Sequence, residues 1–274
     1  CSNTELRLSA CLIYAFSNLS IGQIEQAKQV LEKIKSTLKE DKERAQQIKV
    51  IDAFIVMAAA VLLHLPLPED IPSMQEFIPI LPFGLRSFAL YVEAHYLYLQ
   101  KNYEKSIGII EAALAMGANQ YPIPAIYLHL AAVMDYMSLK QLEKAENHLL
   151  FAWKLARSDD LIEGFGEHHG LLGGMLEAVI KPKWPEDFKR IISITYEFSA
   201  GWRKIHNLVT GHEVADDLST TEFAVAMLAA RGWTNSEIAK HLNISANTVK
   251  THISQAIKKL HVENRKDLKQ YMLK

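Results

Sequence analysis

The stretch LSTTEFAVAMLAARGWTNSEIAKHLNISANTVKTHISQAIKKLHVENRKDL, residues 218–268, decides how the rest of the chain is read. Each helix start in it is marked by side chains. Ser219 stands three residues before Glu222, the spacing of a capping box in which each side chain satisfies an orphan backbone N–H, with Leu218 and Phe223 as a hydrophobic staple. The helix it opens is predicted to run to about Ala230, and Gly232 supplies the stop. Thr234 and Glu237 repeat the pattern between Trp233 and Ile238, opening a short helix that ends near Leu242. Asn243, a residue that tolerates the left-handed region, fills the tight turn. Ser245 then caps a third helix, expected to reach Leu260, with Ile244 and Val249 as its staple. Two helices joined by three or four residues is the helix-turn-helix spacing.

The third helix has two unlike faces. Val249, Ile253, Ala256, Ile257 and Leu260 form an inward stripe. The opposite edge offers Asn247, Lys250, Thr251 and Ser254 at spacing i, i+3, i+4 and i+7, and no acidic residue occurs between Ser245 and His261. A helix of this kind suits the major groove of double-stranded DNA. Base contacts are expected from its N-terminal half, with Lys250 donating to a guanine edge and Asn247, Thr251 or Ser254 adding hydrogen bonds or methyl contact. Thr234, Asn235, Thr248 and Lys258 are placed for phosphates, which set register and give salt-dependent affinity. The charge distribution agrees: from Leu218 onward nine Lys and Arg face four acids, a net of +5, so the remainder carries −6 of the total −1.

Across its whole length this stretch resembles the LuxR-type helix-turn-helix domain. The matching positions include Leu218, Glu222, Val225, Gly232, Thr234, Asn235, Glu237, Ile238, Ala239, Leu242, Ile244, Ser245, Thr248, Val249, Lys250, His252, Lys258, Leu260, Val262 and Arg265. Asn243 departs from the glycine common in the family, and asparagine is the next best residue there. The resemblance implies a small four-helix domain, a transcription regulator that binds double-stranded DNA, and a homodimer formed partly through the last helix, Asn264 to Leu273.

Upstream, apolar residues recur at three- and four-residue spacing and no alternating β-branched runs occur, so an all-α protein is predicted. A weak internal repeat marks helix-to-helix turns at Gly22 to Ala27, Lys101 to Ser106 and Lys140 to Ala145. The glutamates Glu25, Glu104 and Glu143 in these segments are 79 and 39 residues apart. One missing turn then falls near His64, where Leu65-Pro-Leu-Pro breaks the helix. The predicted pairs are Phe88 to Gln100 with Glu104 to Met116, and Ala125 to Ser138 with Leu142 to Arg157. Such pairs must stack to bury their faces, and they resemble a tetratricopeptide-like solenoid of the longer-repeat kind found in LuxR-family sensor regions. Another helix runs from Glu186 to about Asn207. The expected organisation is a helical-repeat sensor or interaction domain over 1–209, a linker over 210–217 with Gly211, Asp216 and Asp217, and the DNA-binding domain over 218–274.

With 49% hydrophobic and 22% charged residues the chain builds a core and is not disordered. Two cysteines, Cys1 and Cys11, exclude a disulfide framework or a CxxC pair and fit a reducing cytosol. The apolar run Phe54 to Leu63 is about half a bilayer span, so no membrane partner is expected and the location is read as cytoplasmic. The initial Cys1 fits a truncated chain, a processed precursor or a fragment; a lipoprotein anchor conflicts with a DNA-reading end. His168 and His169, in the glycine-dense stretch 163–175, are candidates for an effector region, and close packing through Gly166, Gly170 and Gly174 at four-residue steps is the competing account. No metal spacing such as HExxH accompanies them, and no cofactor is expected. Tyr91, Tyr96, Tyr98, Tyr103 and Tyr127 read as inter-helix packing, with a ligand groove as the rival. No phosphate loop, GxSxG or Cys/His nucleophile occurs, so an enzyme is not expected. The leading expectation is therefore a regulator whose repeat region senses a small molecule, peptide or protein effector. Its rivals are a helical interaction scaffold that docks through the basic module, and the C-terminal part of a larger nucleotide-switch regulator.

Overall fold

Among the described residues, six backbone positions that are not glycine adopt positive φ, and each ends a helix. They are His64 (φ 53), Lys101 (61), Lys140 (57), Asp160 (58), Asn243 (52) and His261 (52). After each, the next N–H turns back to a carbonyl five residues behind it. These bonds are Leu65 to Ala60 (2.7 Å), Asn102 to Leu97 (2.9 Å), Gln141 to Tyr136 (2.8 Å), Leu161 to Ala156 (2.9 Å), Ile244 to Ala239 (3.0 Å) and Val262 to Ile257 (3.1 Å). This closure satisfies carbonyls that a helix end otherwise leaves bare, and it turns the chain within two residues.

These are features of a computed structural model that describes residues 10, 11, 13–15, 17, 18, 21, 23, 25–27, 29, 30, 32, 33, 45–67, 72–81, 83–210 and 218–272. Among the described residues there are helices and turns and no strand, so the protein is all-α as predicted. In chain order the main elements are α1 Ala45–Leu62, α2 Met74–Phe77, α3 Phe83–Leu99, α4 Tyr103–Ala115, α5 Pro122–Ser138, α6 Leu142–Arg157, α7 Glu163–Glu167 and α8 Pro185–Thr210. They continue with α9 Thr220–Ala230, α10 Asn235–Leu242, α11 Ala246–Lys259 and α12 Leu268–Met272.

The repeat signal locates real turns. Lys101 and Lys140, the first residues of two repeat segments, share the left-handed closure, and so does His64, near which the repeat spacing predicts the missing turn. The third segment, Gly22 to Ala27, includes residues outside the described ones, as do Cys1, the linker positions 211–217 and the final Leu273 and Lys274. The helix predicted from Glu186 to about Asn207 spans Pro185–Thr210 and so reaches the first linker residue.

Contacts divide the chain into two compact units, Cys1–Ala131 with Glu197–His212, and Ala132–Tyr196 with Glu213–Lys274, the division falling within α5 and α8. In the first unit, α3 packs on α4 and on α1. Ser106 at the start of α4 is fully buried and donates to the Ala94 carbonyl at 2.9 Å, which removes the cost of its hydroxyl in the core. Tyr91 is 0% exposed and meets Tyr127 edge to face at 5.1 Å, so these aromatics serve inter-helix packing.

In the second unit, Trp153 on α6 packs against Phe165 and Trp184, at centroid distances of 5.4 and 5.5 Å. The glycine-dense stretch is not one continuous helix. Of Gly166, Gly170 and Gly174 only Gly166 lies in a helix, and the chain leaves α7 through turns in which Gly173 (φ 59) and Gly174 (φ 74) are left-handed. A Cβ at Gly166 would fall 2.5 Å from Ile194 of α8, at Gly170 2.6 Å from Phe223, and at Gly174 2.7 Å from Leu242. Close approach is the role of these glycines, but the partners of the last two are in α9 and α10.

Candidate nucleic-acid interface

Four helices, α9 to α12, build the C-terminal cluster, with α9 packed on the other three and α10 on α11. Their ends are set locally. The Ser219 hydroxyl accepts from the Glu222 amide (3.3 Å) while the Glu222 carboxylate accepts from the Ser219 amide (2.8 Å). Thr234 and Glu237 form the same reciprocal box at α10. Gly232 (φ 79) ends α9, and Asn243 (φ 52) ends α10 in the left-handed region. Ser245 caps α11 by accepting from the Thr248 amide at 3.0 Å, with no glutamate answering it.

The inward stripe of α11 is as predicted: Val249 and Ala256 are 0% exposed, Ile253 6% and Leu260 4%, while Ile257 is half-buried. A Val249 or Ile253 side chain withdrawn from water contributes about 1.5–3 kcal/mol to holding the helix on its neighbours. On the other side Asn247, Lys250, Thr251 and Ser254 are all exposed, so one edge of the helix carries the four predicted base-reading residues together. Thr251 donates its hydroxyl proton to the Asn247 carbonyl (3.1 Å), which leaves an acceptor and a methyl group facing outward. Lys250 and Lys258 are exposed and, among the described residues, neither makes an ion pair, so both charges are available to an anion.

The predicted phosphate residues are more committed. Thr234 is exposed, with its hydroxyl accepting from the Glu237 amide (3.2 Å). Asn235 and Thr248 are half-buried; Asn235 Oδ1 accepts from Arg265, and the Thr248 hydroxyl pairs with that of Ser245 at 2.8 Å. Arg265 also donates to the Trp233 carbonyl, so one guanidinium holds both sides of the α10 start. Burial pushes the Glu222 carboxyl up, but hydrogen bonds from Lys259 (2.8 Å) and from Ser219 more than reverse this and hold it below its ordinary value. Glu222 therefore stays charged and ties α9 to the end of α11.

Within the same unit the cluster rests on residues 140–174. Arg231 donates to the Leu171 carbonyl at 2.8 Å, and His241 bonds the Gly173 carbonyl at 3.0 Å. These contacts leave the outward edge of α11 open. His168 and His169 lie under this platform, 2% and 4% exposed, and do not line an open face. His168 bonds the Gly164 carbonyl at 2.8 Å and burial holds its pKa low, so its imidazole is neutral. His169 bonds Glu177 at 2.7 Å. Among the described residues no group of three His, Cys, Asp or Glu side chains could hold a metal ion. Nor is any described helix long and apolar enough to cross a membrane. Reading the sequence missed Lys140, Arg231 and His241, because their partners are 60 residues or more away and local spacing carries no trace of them.

Residues 216–272 match the family GerE, described as bacterial regulatory proteins, luxR family. The chain is similar to the response regulator protein VraR of Staphylococcus epidermidis, with 28% identity over 118 residues, 41% of this chain and 56% of that protein. It is also similar to the two-component response regulator PprB of Pseudomonas aeruginosa, 45% identical over 51 residues, 19% of this chain and 18% of that one. With VraR of Staphylococcus aureus it shares 40% identity over 53 residues, 19% of this chain and 25% of that protein. The chain thus spans about half the length of the first of these relatives and less of the others. No solved structure matches it.

Proposed function

Residues 216–272 are a LuxR-family helix-turn-helix domain, and from that premise we propose that the protein is a sequence-specific regulator of transcription that binds double-stranded DNA. The observation that carries this reading is the edge of α11: exposed, free of acids, and bearing Asn247, Lys250, Thr251 and Ser254 on one side. Lys250 donates to a guanine edge, Asn247, Thr251 and Ser254 complete the base contacts, and Thr234, Asn235, Thr248 and Lys258 hold phosphates. Two copies bind one operator through the helix at 268–272 and its approach from Asn264, each reading a half-site. The module at 218–274 follows the linker at 210–217, and the helical hairpins of residues 1–209, stacked as a tetratricopeptide-like array, receive an effector that biases DNA binding or dimer formation. The effector is a small molecule, a peptide or a protein, and the His168–His169 region marks where a change in the platform would reach α9 and α10.

Selection from a randomised duplex pool at several salt concentrations tests the reading. A regulator recovers a preferred sequence and loses affinity steeply with salt, because each phosphate contact releases counterions. A protein-docking scaffold recovers no sequence and has a flat profile.

A further inference from the structure

We infer that the DNA-facing surface extends beyond the matched family segment to Lys140, a cation supplied by the turn between α5 and α6. This rests on the DNA-binding reading above. Lys140 Nζ lies 3.3 Å from Glu237 Oε1 and 3.4 Å from the Gly232 carbonyl, and 5.6 Å from the centroid of the Trp233 ring. Its side chain therefore reaches the start of α10, beside the two residues proposed to meet phosphate, Thr234 and Asn235. The stem is held as well: Lys140 has φ 57 and the next N–H closes onto the Tyr136 carbonyl at 2.8 Å, so the ammonium leaves a fixed turn.

Two physical points assign it to the duplex. In a helix-turn-helix the first helix crosses the phosphate backbone and aims its N-terminal amides there. Glu237 is an acid at that very position, and its side chain is 44% exposed, so an approaching phosphate meets repulsion that Lys140, 42% exposed, offsets. An exposed ion pair does little to hold two segments together. The attachment is carried instead by the close approaches at Gly170 and Gly174 and by Arg231 and His241. Lys140 is thus a positioning and phosphate-contacting residue outside the family domain, and a duplex bound on α11 touches both parts of this unit.

The test uses the full chain and a duplex that the wild-type protein selects, with affinity read by fluorescence anisotropy from 50 to 200 mM KCl. Removing one phosphate contact lowers the slope of log K against log salt by about 0.9, so the deficit of Lys140→Ala is about 3.5-fold larger at 50 mM than at 200 mM. The order of preference among duplexes stays as in wild type, and Lys140→Arg keeps the wild-type slope. Glu237→Gln, which retains the cap, binds all duplexes more tightly at low salt. A Lys140→Ala slope equal to wild type overturns the inference, as does a slope change accompanied by faster hydrogen exchange throughout α10, which would make the effect structural. If Lys258→Ala lowers the slope and Lys140→Ala does not, only this extension fails. A wild-type protein with no selected sequence and no salt slope removes the DNA-binding reading itself.

Discussion

Ser245→Ala perturbs α11 at its least protected point. Helices α9 and α10 begin with reciprocal boxes, each satisfying two backbone donors, whereas α11 begins with one cap bond, from the Thr248 amide to the Ser245 hydroxyl at 3.0 Å. Ser245 is exposed, so alanine there leaves no buried void, and water replaces the hydroxyl that Thr248 loses. What remains is the cap, worth about 1 kcal/mol in such substitutions. That is about a fivefold shift toward a frayed first turn. Amides 248–250 should therefore exchange about fivefold faster, and DNA affinity should fall by no more than that factor. Asparagine caps as well as serine, so Ser245→Asn restores both quantities. Aspartate also caps, but it places a negative charge where α11 enters the duplex. Ser245→Asp should therefore restore the slow exchange and still bind DNA more weakly than Ser245→Asn, with the gap narrowing as salt rises. Equal DNA affinity for the Asn and Asp variants at low salt would refute the placement of this helix start against the duplex.

The other outcomes concern what holds α11 in place. Gly174→Ala forces a side chain into the left-handed region at φ 74 and sets its Cβ 2.7 Å from Leu242, costs that together reach about 2–4 kcal/mol. Gly108→Ala, in helix α4 with nothing within 4 Å, should instead stabilise by about 0.5–1 kcal/mol. Urea midpoints that move in the same direction for both variants contradict this. Glu222→Gln keeps the capping box but unpairs Lys259, which is 38% exposed, so the loss is discounted to about 1 kcal/mol. Because the folded-state pKa of Glu222 is depressed, its contribution is complete above the unfolded value near 4.5 and is lost as pH falls below it. Wild type and Glu222→Gln should therefore differ in unfolding midpoint at pH 6 and converge in acid; a difference independent of pH refutes the charged pair.

The C-terminal helices were legible because their boundaries are local events. Ser219, Thr234 and Ser245 sit where a capping oxygen is needed, and Gly232 and Asn243 where the backbone turns left-handed. The repeat turns at Lys101 and Lys140 were legible by spacing, although the closure there uses lysine in a conformation that glycine or asparagine usually takes. The four-residue steps of Gly166, Gly170 and Gly174 point to close packing but not to the partners. Backbone at Gly173 and Gly174 is not helical, and the side chains that Gly170 and Gly174 admit, Phe223 and Leu242, come from α9 and α10, far along the chain. The attachment of the C-terminal cluster to residues 140–174 was illegible for the same reason. It depends on single bonds such as Arg231 to Leu171, which leave no periodic signature.

The claim that the exposed edge of α11 reads bases while residues around it hold the backbone is tested most directly by comparing the base preferences of Lys250→Ala and Lys258→Ala. Lys250→Ala should flatten preference at one or two base pairs, a loss of about 1–3 kcal/mol of discrimination there. Lys258→Ala should weaken binding to every sequence alike and lower the salt slope by about 0.9. Identical profiles for the two variants, or a Lys250→Ala profile with every preference intact, would contradict it.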